Sequence, residues 1–168
     1  MDIRNVYPED APEICRIYNY YIEHTSVSFE TAPVTMEEME VRIRSFIEEG
    51  DPYYVGVVEG QIIGFANLHK WNNRFAYNST KEVTIYLDPA AKGKGYGTKL
   101  YEHLFETMDR SRIHTLIAGI CIPNQASIKL HEKFGFRQVS HYREIGYKFN
   151  EWWDVGHWQL ILENHSIR

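Results

Sequence analysis

A turn rich in glycine and lysine, placed between a strand and a helix, constrains this chain more than any other feature. Residues 82–97 read EVTIYLDPAAKGKGYG. The first half has the β-branched residues of a strand, and the residues after the turn carry leucine, phenylalanine and methionine at helical spacing. Glycines let backbone amides approach a ligand closely, and amides at a helix N-terminus carry partial positive charge. The turn therefore predicts a site for an anion such as a pyrophosphate, to which Lys92 and Lys94 add charge.

Two common phosphate-binding motifs do not fit this turn. A P-loop needs Gly-Lys followed by Ser or Thr, but Gly97 is followed by Thr98 and Lys99. The fingerprint of Rossmann domains needs a third glycine where Thr98 and Lys99 stand. A glycine turn that only caps a helix is the structural alternative. The interleaving of glycines with lysines favours the anion site.

Strand and helix patterns alternate along the chain, without a repeat, a low-complexity tract or a linker. Strands are predicted over residues 3–7, 53–58, 61–69, 82–87, 115–122, 136–145 and 155–162. Capping boxes at Asp10 with Glu13 and at Thr35 with Glu38 predict two helix starts. Further helices are predicted over residues 97–108 and 127–134, and an aromatic loop joins the last two strands. The 168 residues predict a single domain, residues 1–168, with a mixed α/β sheet covered by helices on both faces.

Composition limits which binding partners and which cellular compartment are expected for this chain. The net charge of −5 argues against a nucleic-acid binder, and the longest apolar stretch, residues 116–122, is too short to cross a membrane. The N-terminus carries Asp2 and Arg4 where a secretory leader is apolar, so we expect a cytoplasmic protein. Cys15 and Cys121 lie in apolar segments and are expected to be reduced core thiols. The eight histidines form neither an HExxH pattern nor a cluster with cysteine, so no metal site is expected.

Two blocks resemble the GNAT superfamily of acyl-CoA-dependent N-acetyltransferases. Residues 92–97, KGKGYG, are similar to its Arg/Gln-x-x-Gly-x-Gly/Ala loop, with Lys92 in place of the usual arginine or glutamine. Residues 123–136, PNQASIKLHEKFGF, are similar to the segment that lines the pantetheine arm of the coenzyme. The segments TSVSFET, RFAYNSTKE, SIKLHEKFGF and WDVGHWQ resemble the branch that includes phosphinothricin and methionine sulfoximine acetyltransferases.

The resemblance implies a mostly antiparallel central sheet of about seven strands and an enzyme that is often a homodimer. It implies transfer of the acetyl group of acetyl-CoA to the primary amine of a small amino-acid-like substrate, directly within a ternary complex. The residue before Glu82 departs from the branch, since Thr80 and Lys81 stand where Thr-Val is more usual. The acceptor is therefore less defined than the reaction.

The resemblance also assigns roles to individual residues. Glu82 is the expected general base for the amine, although a strand-edge glutamate paired with Lys81 or Arg74 is the plain alternative. His131 is the expected proton donor to the leaving thiolate, although a histidine on a helix is more often a packing or surface residue. Asn124 is expected at the pantetheine arm and is equally a natural helix cap.

Further residues are assigned to the two substrates. The expected coenzyme-binding residues are Ile85, Tyr86, Leu87, Lys92, Gly93, Lys94, Gly95, Tyr96, Gly97, Thr98, Asn124, Ser127 and Lys133. The expected acceptor-binding residues are Phe29, Glu30, Trp71, Arg74 and Tyr77. Among them Arg74 is the candidate for a substrate carboxylate, because guanidinium binds carboxylates bidentately.

Other functions stay open at this point. The acceptor is alternatively a polyamine, an aminoglycoside or a protein amine, for which acidic or open acceptor loops are expected. A non-catalytic acyl-CoA-binding sensor would keep the glycine turn and lose turnover. The aromatic segment with Trp152, Trp153, His157 and Trp158 is interpreted as an acceptor wall, a dimer surface or core.

Overall fold

The computed structural model describes residues 1–162 and has the predicted order of elements. The helices α1 to α4 span Ala11–His24, Met36–Glu49, Tyr96–Thr107 and Gln125–Lys133. The strands β1 to β7 span Asp2–Asn5, Tyr53–Val58, Gln61–Lys70, Thr80–Leu87, Thr115–Ile122, Arg137–Lys148 and Glu151–Ile161.

The strands form a seven-stranded sheet in the order β1-β2-β3-β4-β5-β7-β6. The pairs β1–β2, β2–β3, β5–β7 and β6–β7 are antiparallel, and β4–β5 is parallel. In the parallel pair Thr80 lies opposite Thr115 and Glu82 opposite Ile117. This architecture confirms the expected mixed, mostly antiparallel sheet of about seven strands.

The chain packs as two compact units. The first comprises Met1–Thr25, Glu30–Leu68 and Thr84–Thr107. The second comprises Ser26–Phe29, His69–Val83 and the described chain from Met108 onward. Strand β4 contributes its first residues to the second unit and its last residues to the first.

Alternation along β2 gives the first unit helices on both faces of its strands. Tyr53 and Val55 are buried in a core that includes side chains from α1 and α2. The residues between and after them point the other way, as the strand period requires. The ring of Tyr54 lies 4.5 Å from that of His103 on α3, and a Cβ at Gly56 would lie 3.5 Å from Leu100 of α3.

The second unit is built around β5 and a long hairpin of β6 and β7. Trp158 of β7 is 2% exposed, and its indole Nε1 donates to Glu132 Oε1 at 3.3 Å. The hairpin turn is Phe149-Asn150, and both residues have positive φ, 55° and 59°. Such a pair of left-handed residues matches the twist of the two strands and closes a tight hairpin.

This hairpin corrects the sequence prediction. The aromatic loop expected between the last two strands is strand structure, because β6 and β7 extend to the two-residue turn and include Trp152 and Trp153. Trp158 is core, whereas Trp152 is 60% exposed. Long exposed aromatic residues suit a solvent-facing strand as well as a loop, so composition alone does not locate the turn.

One of the two predicted capping boxes is also wrong. Thr35 and Glu38 form theirs at the start of α2, with Glu38 N donating to Thr35 Oγ1 at 3.1 Å. Asp10 instead accepts two hydrogen bonds from the Arg4 guanidinium, at 2.7 and 2.8 Å, and one from Tyr7 N at 2.8 Å. A bidentate ion pair with a guanidinium is stronger than a single hydrogen bond from a backbone amide, so the Asp10 carboxylate pairs with Arg4 and does not cap α1.

Two further sequence predictions concern the cysteines and the membrane. Cys15 and Cys121 are both free and buried, as predicted. Within residues 1–162, none of the helices has the length and hydropathy needed to cross a bilayer.

A close approach between β3 and β4 depends on Gly64. A Cβ at Gly64 would lie 2.5 Å from the side chain of Leu87 and 2.8 Å from the backbone oxygen of Tyr86. Gly64→Ala is expected to lower the free energy of unfolding by about 1–3 kcal/mol, because the backbone of β4 would have to shift to make room for the methyl group. Urea denaturation followed by circular dichroism measures this loss.

The matched control is Gly119→Ala on β5, where the nearest atom would lie 3.4 Å from the added Cβ. That distance is an ordinary contact, so this variant is expected to keep wild-type stability within about 0.5 kcal/mol. Equal stability of the two variants would contradict the close approach.

Candidate active site

The glycine turn follows the end of β4 in the first unit. Asp88 caps a 3-10 turn, Pro89–Ala91, by accepting from Ala90 N at 2.8 Å, and its carboxylate also pairs with Arg16. Gly93 and Gly95 then adopt φ of 75° and 77°, and α3 begins at Tyr96. These left-handed positions are accessible to glycine at no steric cost.

The residues of this turn fit a diphosphate. A Cβ at Gly93 or Gly95 would meet nothing within 4 Å, so the space beside both glycines is open. Lys92 and Lys94 are exposed, and the Lys92 ammonium lies 5.0 Å above the Tyr21 ring. Open glycines, two cations and the amides that begin a twelve-residue helix are the elements of an anion site.

The last residues of β4 are held by packing. Tyr86 has its ring 5.1 Å from Tyr18, 5.0 Å from Tyr21 and 5.5 Å from Phe65, so its side chain is a packing group. The Leu87 carbonyl accepts from the Tyr21 hydroxyl at 2.6 Å. Burial raises the pKa of Tyr21 to about 12, so this hydroxyl stays a donor at neutral pH. Any contribution to the coenzyme by Tyr86 thus comes from its backbone.

Helix α4 carries the second predicted coenzyme block. Asn124 is its N-cap, and Asn124 Oδ1 accepts from Ser127 N at 3.2 Å. The structural alternative for Asn124 therefore holds, and the predicted contact with the pantetheine arm falls to other atoms of this residue. The Lys133 ammonium lies at the last turn of α4, 6.0 Å from the centre of the Phe134 ring.

His131 of α4 is buried, with 3% of its surface exposed. Its Nδ1 lies 2.8 Å from the Ser127 carbonyl oxygen, and its ring meets the edge of Phe136 at 5.2 Å. Because a carbonyl only accepts, Nδ1 carries the proton, and Nε2 of the neutral ring is an acceptor. Burial lowers the pKa of His131. The expected role as thiolate acid stays a prediction, and it requires the ring to gain a second proton first.

Three predicted acceptor residues lie in one segment of the second unit. The rings of Trp71 and Tyr77 meet edge to face at 5.1 Å. Arg74 lies between them in the sequence, is exposed, and precedes a 3-10 turn, Phe75–Tyr77. An exposed guanidinium in the same short segment as an aromatic pair is suited to a small anionic ligand.

Phe29 is held against the β6–β7 hairpin of the same unit. A Cβ at Gly146 would lie 2.3 Å from the Phe29 ring, so this ring sits directly on the glycine. The buried Lys148 ammonium donates to the Ser28 carbonyl at 2.6 Å. These two interactions fix the loop that carries Phe29.

Glu30 belongs to the first unit, where its carboxylate takes part in a hydrogen-bond network. Its carboxylate accepts from the Arg42 guanidinium at 2.8 and 3.2 Å and from the Tyr18 hydroxyl at 2.8 Å. An ion pair already satisfies this charge. Glu30 is therefore better suited to hold its loop than to bind an ammonium group, and its role toward the acceptor stays a prediction.

Glu82 lies near His157, to which the sequence assigned no catalytic role and which it placed only in an aromatic segment interpreted as an acceptor wall, a dimer surface or core. A Cβ placed on Gly119 would be 3.4 Å from Glu82 Oε1 and 3.7 Å from His157 Nε2. The other ring nitrogen of His157, Nδ1, lies 2.9 Å from Ser140 Oγ. The proximity of Glu82 to His157 depends on the pairing registers of β5 and β7, which spacing along the chain does not give.

A group of three or more potential metal-ligating side chains is not found among residues 1–162. The expected absence of a metal stays a prediction.

Comparison with known proteins identifies the class. Residues 3–157 match the acetyltransferase (GNAT) domain family. Phosphinothricin N-acetyltransferase of Streptomyces coelicolor is 37% identical over 166 residues, covering 96% of each chain. The L-methionine sulfoximine/L-methionine sulfone acetyltransferase of Salmonella typhimurium is 31% identical over 166 residues, covering 99% of this chain and 97% of its own.

A solved structure agrees with these relatives. It is that of a GNAT superfamily phosphinothricin acetyltransferase from Sinorhizobium meliloti in complex with AcCoA, with a TM-score of 0.92 and 31% sequence identity. The match covers 96% of this chain and 88% of that one. The fold, the glycine turn and these matches define a coenzyme-dependent acyltransferase. The chain belongs to the GNAT acetyltransferase family and is an acetyl-CoA-dependent N-acetyltransferase.

The buried His131 makes stability depend on pH. Because burial lowers its pKa in the folded state, the unfolded chain binds more protons, and stability is lost as the pH falls below the ordinary value of about 6.5. Urea denaturation at pH 7.5 and at 5.5 is expected to show a smaller loss for His131→Gln than for wild type. The control His114→Gln changes an exposed residue and is expected to keep the wild-type loss. An equal loss in all three proteins would contradict the effect of burial.

The left-handed backbone of Gly95 yields a binding prediction. Gly95→Ala is expected to raise the Kd for acetyl-CoA about tenfold, since the methyl group occupies the space that the diphosphate needs. Isothermal titration calorimetry measures the Kd. Gly60→Ala is the matched control, because Gly60 also has positive φ, 79°, and open space around it, but lies in the β2–β3 turn. A similar Kd in the two variants would refute the assignment of the loop.

Proposed function

We propose that the acceptor is the primary amine of a small amino acid or amino-acid analogue, such as phosphinothricin, methionine sulfoximine or methionine sulfone. The observation that carries this proposal is the exposed Arg74, a cation suited to a carboxylate or phosphinate, in the segment whose Trp71 and Tyr77 rings pack together. The names of the relatives support the same class of acceptor. An L-amino acid N-acyltransferase of Escherichia coli is a further relative, 29% identical over 166 residues.

The reaction needs a neutral amine, and Glu82 is the proposed base. When acetyl-CoA is bound, its thioester supplies an activated acetyl group. Glu82 accepts a proton from the ammonium group of the acceptor, directly or through water, which exposes the nitrogen lone pair. A general base of this kind contributes about 10²–10⁴ in rate.

The other proposed roles belong to backbone amides and to α4. The amides of β4 at Ile85, Tyr86 and Leu87 orient the carbonyl oxygen of the thioester, and each such donor is worth about 3–4 kcal/mol. The amides and lysines of residues 92–98 hold the diphosphate. Ser127, Asn124 and Lys133 are the proposed contacts to the pantetheine arm. His131 is the proposed acid for the leaving thiolate, from its imidazolium form.

We further propose a single domain, residues 1–168, that acts as a homodimer in the cytoplasm. The family match over residues 3–157 supports one domain. The β6–β7 hairpin exposes apolar side chains that suit an interface between two copies, namely Val139, Tyr142, Ile145, Tyr147 and Trp152. Two buried free thiols suit a reducing compartment. Neither a nucleic acid, a membrane nor a metal has a part in this proposal.

Release of free thiol from acetyl-CoA tests the proposed function. The purified protein is assayed with phosphinothricin, methionine sulfoximine, methionine sulfone, free amino acids, spermidine and an aminoglycoside. We expect turnover with the amino-acid analogues and a kcat lower by about 10²-fold or more in Glu82→Gln. Glu102→Gln, an exposed residue of α3, is the control and keeps wild-type kcat.

The alternatives give different results in this assay. Turnover with spermidine or the aminoglycoside alone would refute the proposed acceptor and retain the acetyltransferase. Thermal stabilisation by acetyl-CoA without turnover of any amine would indicate a sensor.

A further inference from the structure

Three polar side chains and one glycine form a row across neighbouring strands of the second unit. Glu82 of β4, Gly119 of β5, His157 of β7 and Ser140 of β6 lie on four consecutive strands of the sheet. Gly119 pairs with His157, and His157 pairs with Ser140. Glu82 pairs with Ile117, two residues before Gly119, so Glu82 lies beside the face that Gly119 exposes.

Gly119 leaves a gap in this row. A single point, the position that a Cβ would take, lies 3.4 Å from Glu82 Oε1 and 3.7 Å from His157 Nε2. Gly119 is exposed, so solvent reaches this point. A water molecule near it has a carboxylate on one side and an imidazole nitrogen on the other, and water-mediated bonds of this kind are nearly as favourable as direct ones.

Ser140 and Tyr142 contact the side of the imidazole that faces away from Gly119. Nδ1 of His157 lies 2.9 Å from Ser140 Oγ, and the Tyr142 ring meets the imidazole edge to face at 5.6 Å. Two titratable groups lie near the imidazole, Tyr142 through this ring contact and Glu82 across the Cβ position of Gly119. When Nδ1 carries the proton and donates to Ser140, Nε2 is an acceptor that faces the gap.

We propose that His157 is a positioning residue that acts through Glu82: it orients a water over Gly119 and relays the proton that Glu82 removes from the acceptor. This inference rests on the proposed function. The ammonium group of the acceptor loses one proton to the Glu82 carboxylate, and the shared water passes that proton to His157 Nε2. The half-buried imidazolium releases it to solvent, which restores both residues. The second amine proton leaves as the C–N bond forms and the C–S bond breaks, and it replaces the proton that the His131 imidazolium gives to the coenzyme thiolate.

Two variants interrupt the row in different ways. His157→Gln removes the titratable ring, and Gly119→Ala fills the gap with a methyl group at ordinary contact distance. Each is expected to lower kcat about tenfold, with the KM for both substrates changed by less than about twofold. His157→Gln in the Gly119→Ala background is expected to add little, because both changes remove the same water.

Chemical rescue separates relay from packing. Added imidazole is expected to restore kcat to His157→Ala and to leave Gly119→Ala unaffected, since a free base replaces the ring but not the gap. His141→Gln on β6, whose ring pairs with Asp154 at 2.6 Å, is the matched control and keeps the wild-type kcat. Thermal unfolding of every variant checks that the fold is retained.

An NMR measurement on His157 tests the relay without the need for turnover. The ¹⁵N resonance of His157 Nε2 is expected to move in Glu82→Gln and to stay in place in Glu102→Gln. Suppose that the wild type is active. A normal kcat in His157→Gln, or no response of this resonance to Glu82→Gln, would then overturn the relay and leave the proposed function intact. A wild type that acetylates no amine would refute the proposed function and the relay together.

Discussion

The position at which β4 ends is fixed by three interactions of the first unit, and the glycine turn depends on it. Gly64 lets β3 approach Leu87 more closely than any side chain would permit. The Tyr21 hydroxyl binds the Leu87 carbonyl, and Arg16 pairs with Asp88. With the strand end held on both sides, the backbone that follows starts from a defined point and direction.

The conformation of the turn then follows from glycine chemistry. Gly93 and Gly95 occupy left-handed backbone positions, where a side chain costs roughly 1–2 kcal/mol. Their alternation with Lys92 and Lys94 places positive charge beside amides that no Cβ shields. A chain with net charge −5 thereby has a local site for an anion.

The sequence predicts the fold and the glycine turn before α3 because both depend on local patterns. Strand alternation, the Thr35 capping box and the glycine spacing are each decided within a few residues. The failure at Asp10 has the opposite cause, since the competing partner Arg4 lies on β1 and a local pattern does not include it. Glu30 shows the same effect, because Arg42 and Tyr18 reach it from α2 and α1.

The sequence places His157 in an aromatic segment but does not predict that it lies near Glu82, and the reason is strand register. Its proximity to Glu82 exists because β5 and β7 pair Gly119 with His157, and a shift of one residue would turn the ring to the other face. Local patterns give the strands but not their mutual register, so a residue that acts across strands is visible only in the structure.

The central claim is that the turn after β4 holds the diphosphate of acetyl-CoA. A crystal structure of the protein with acetyl-CoA tests it most directly. We expect the diphosphate on the amides of residues 93–98 and the thioester carbonyl at the amides of Ile85, Tyr86 or Leu87. A diphosphate bound elsewhere, with the amides of this turn facing solvent, would contradict it.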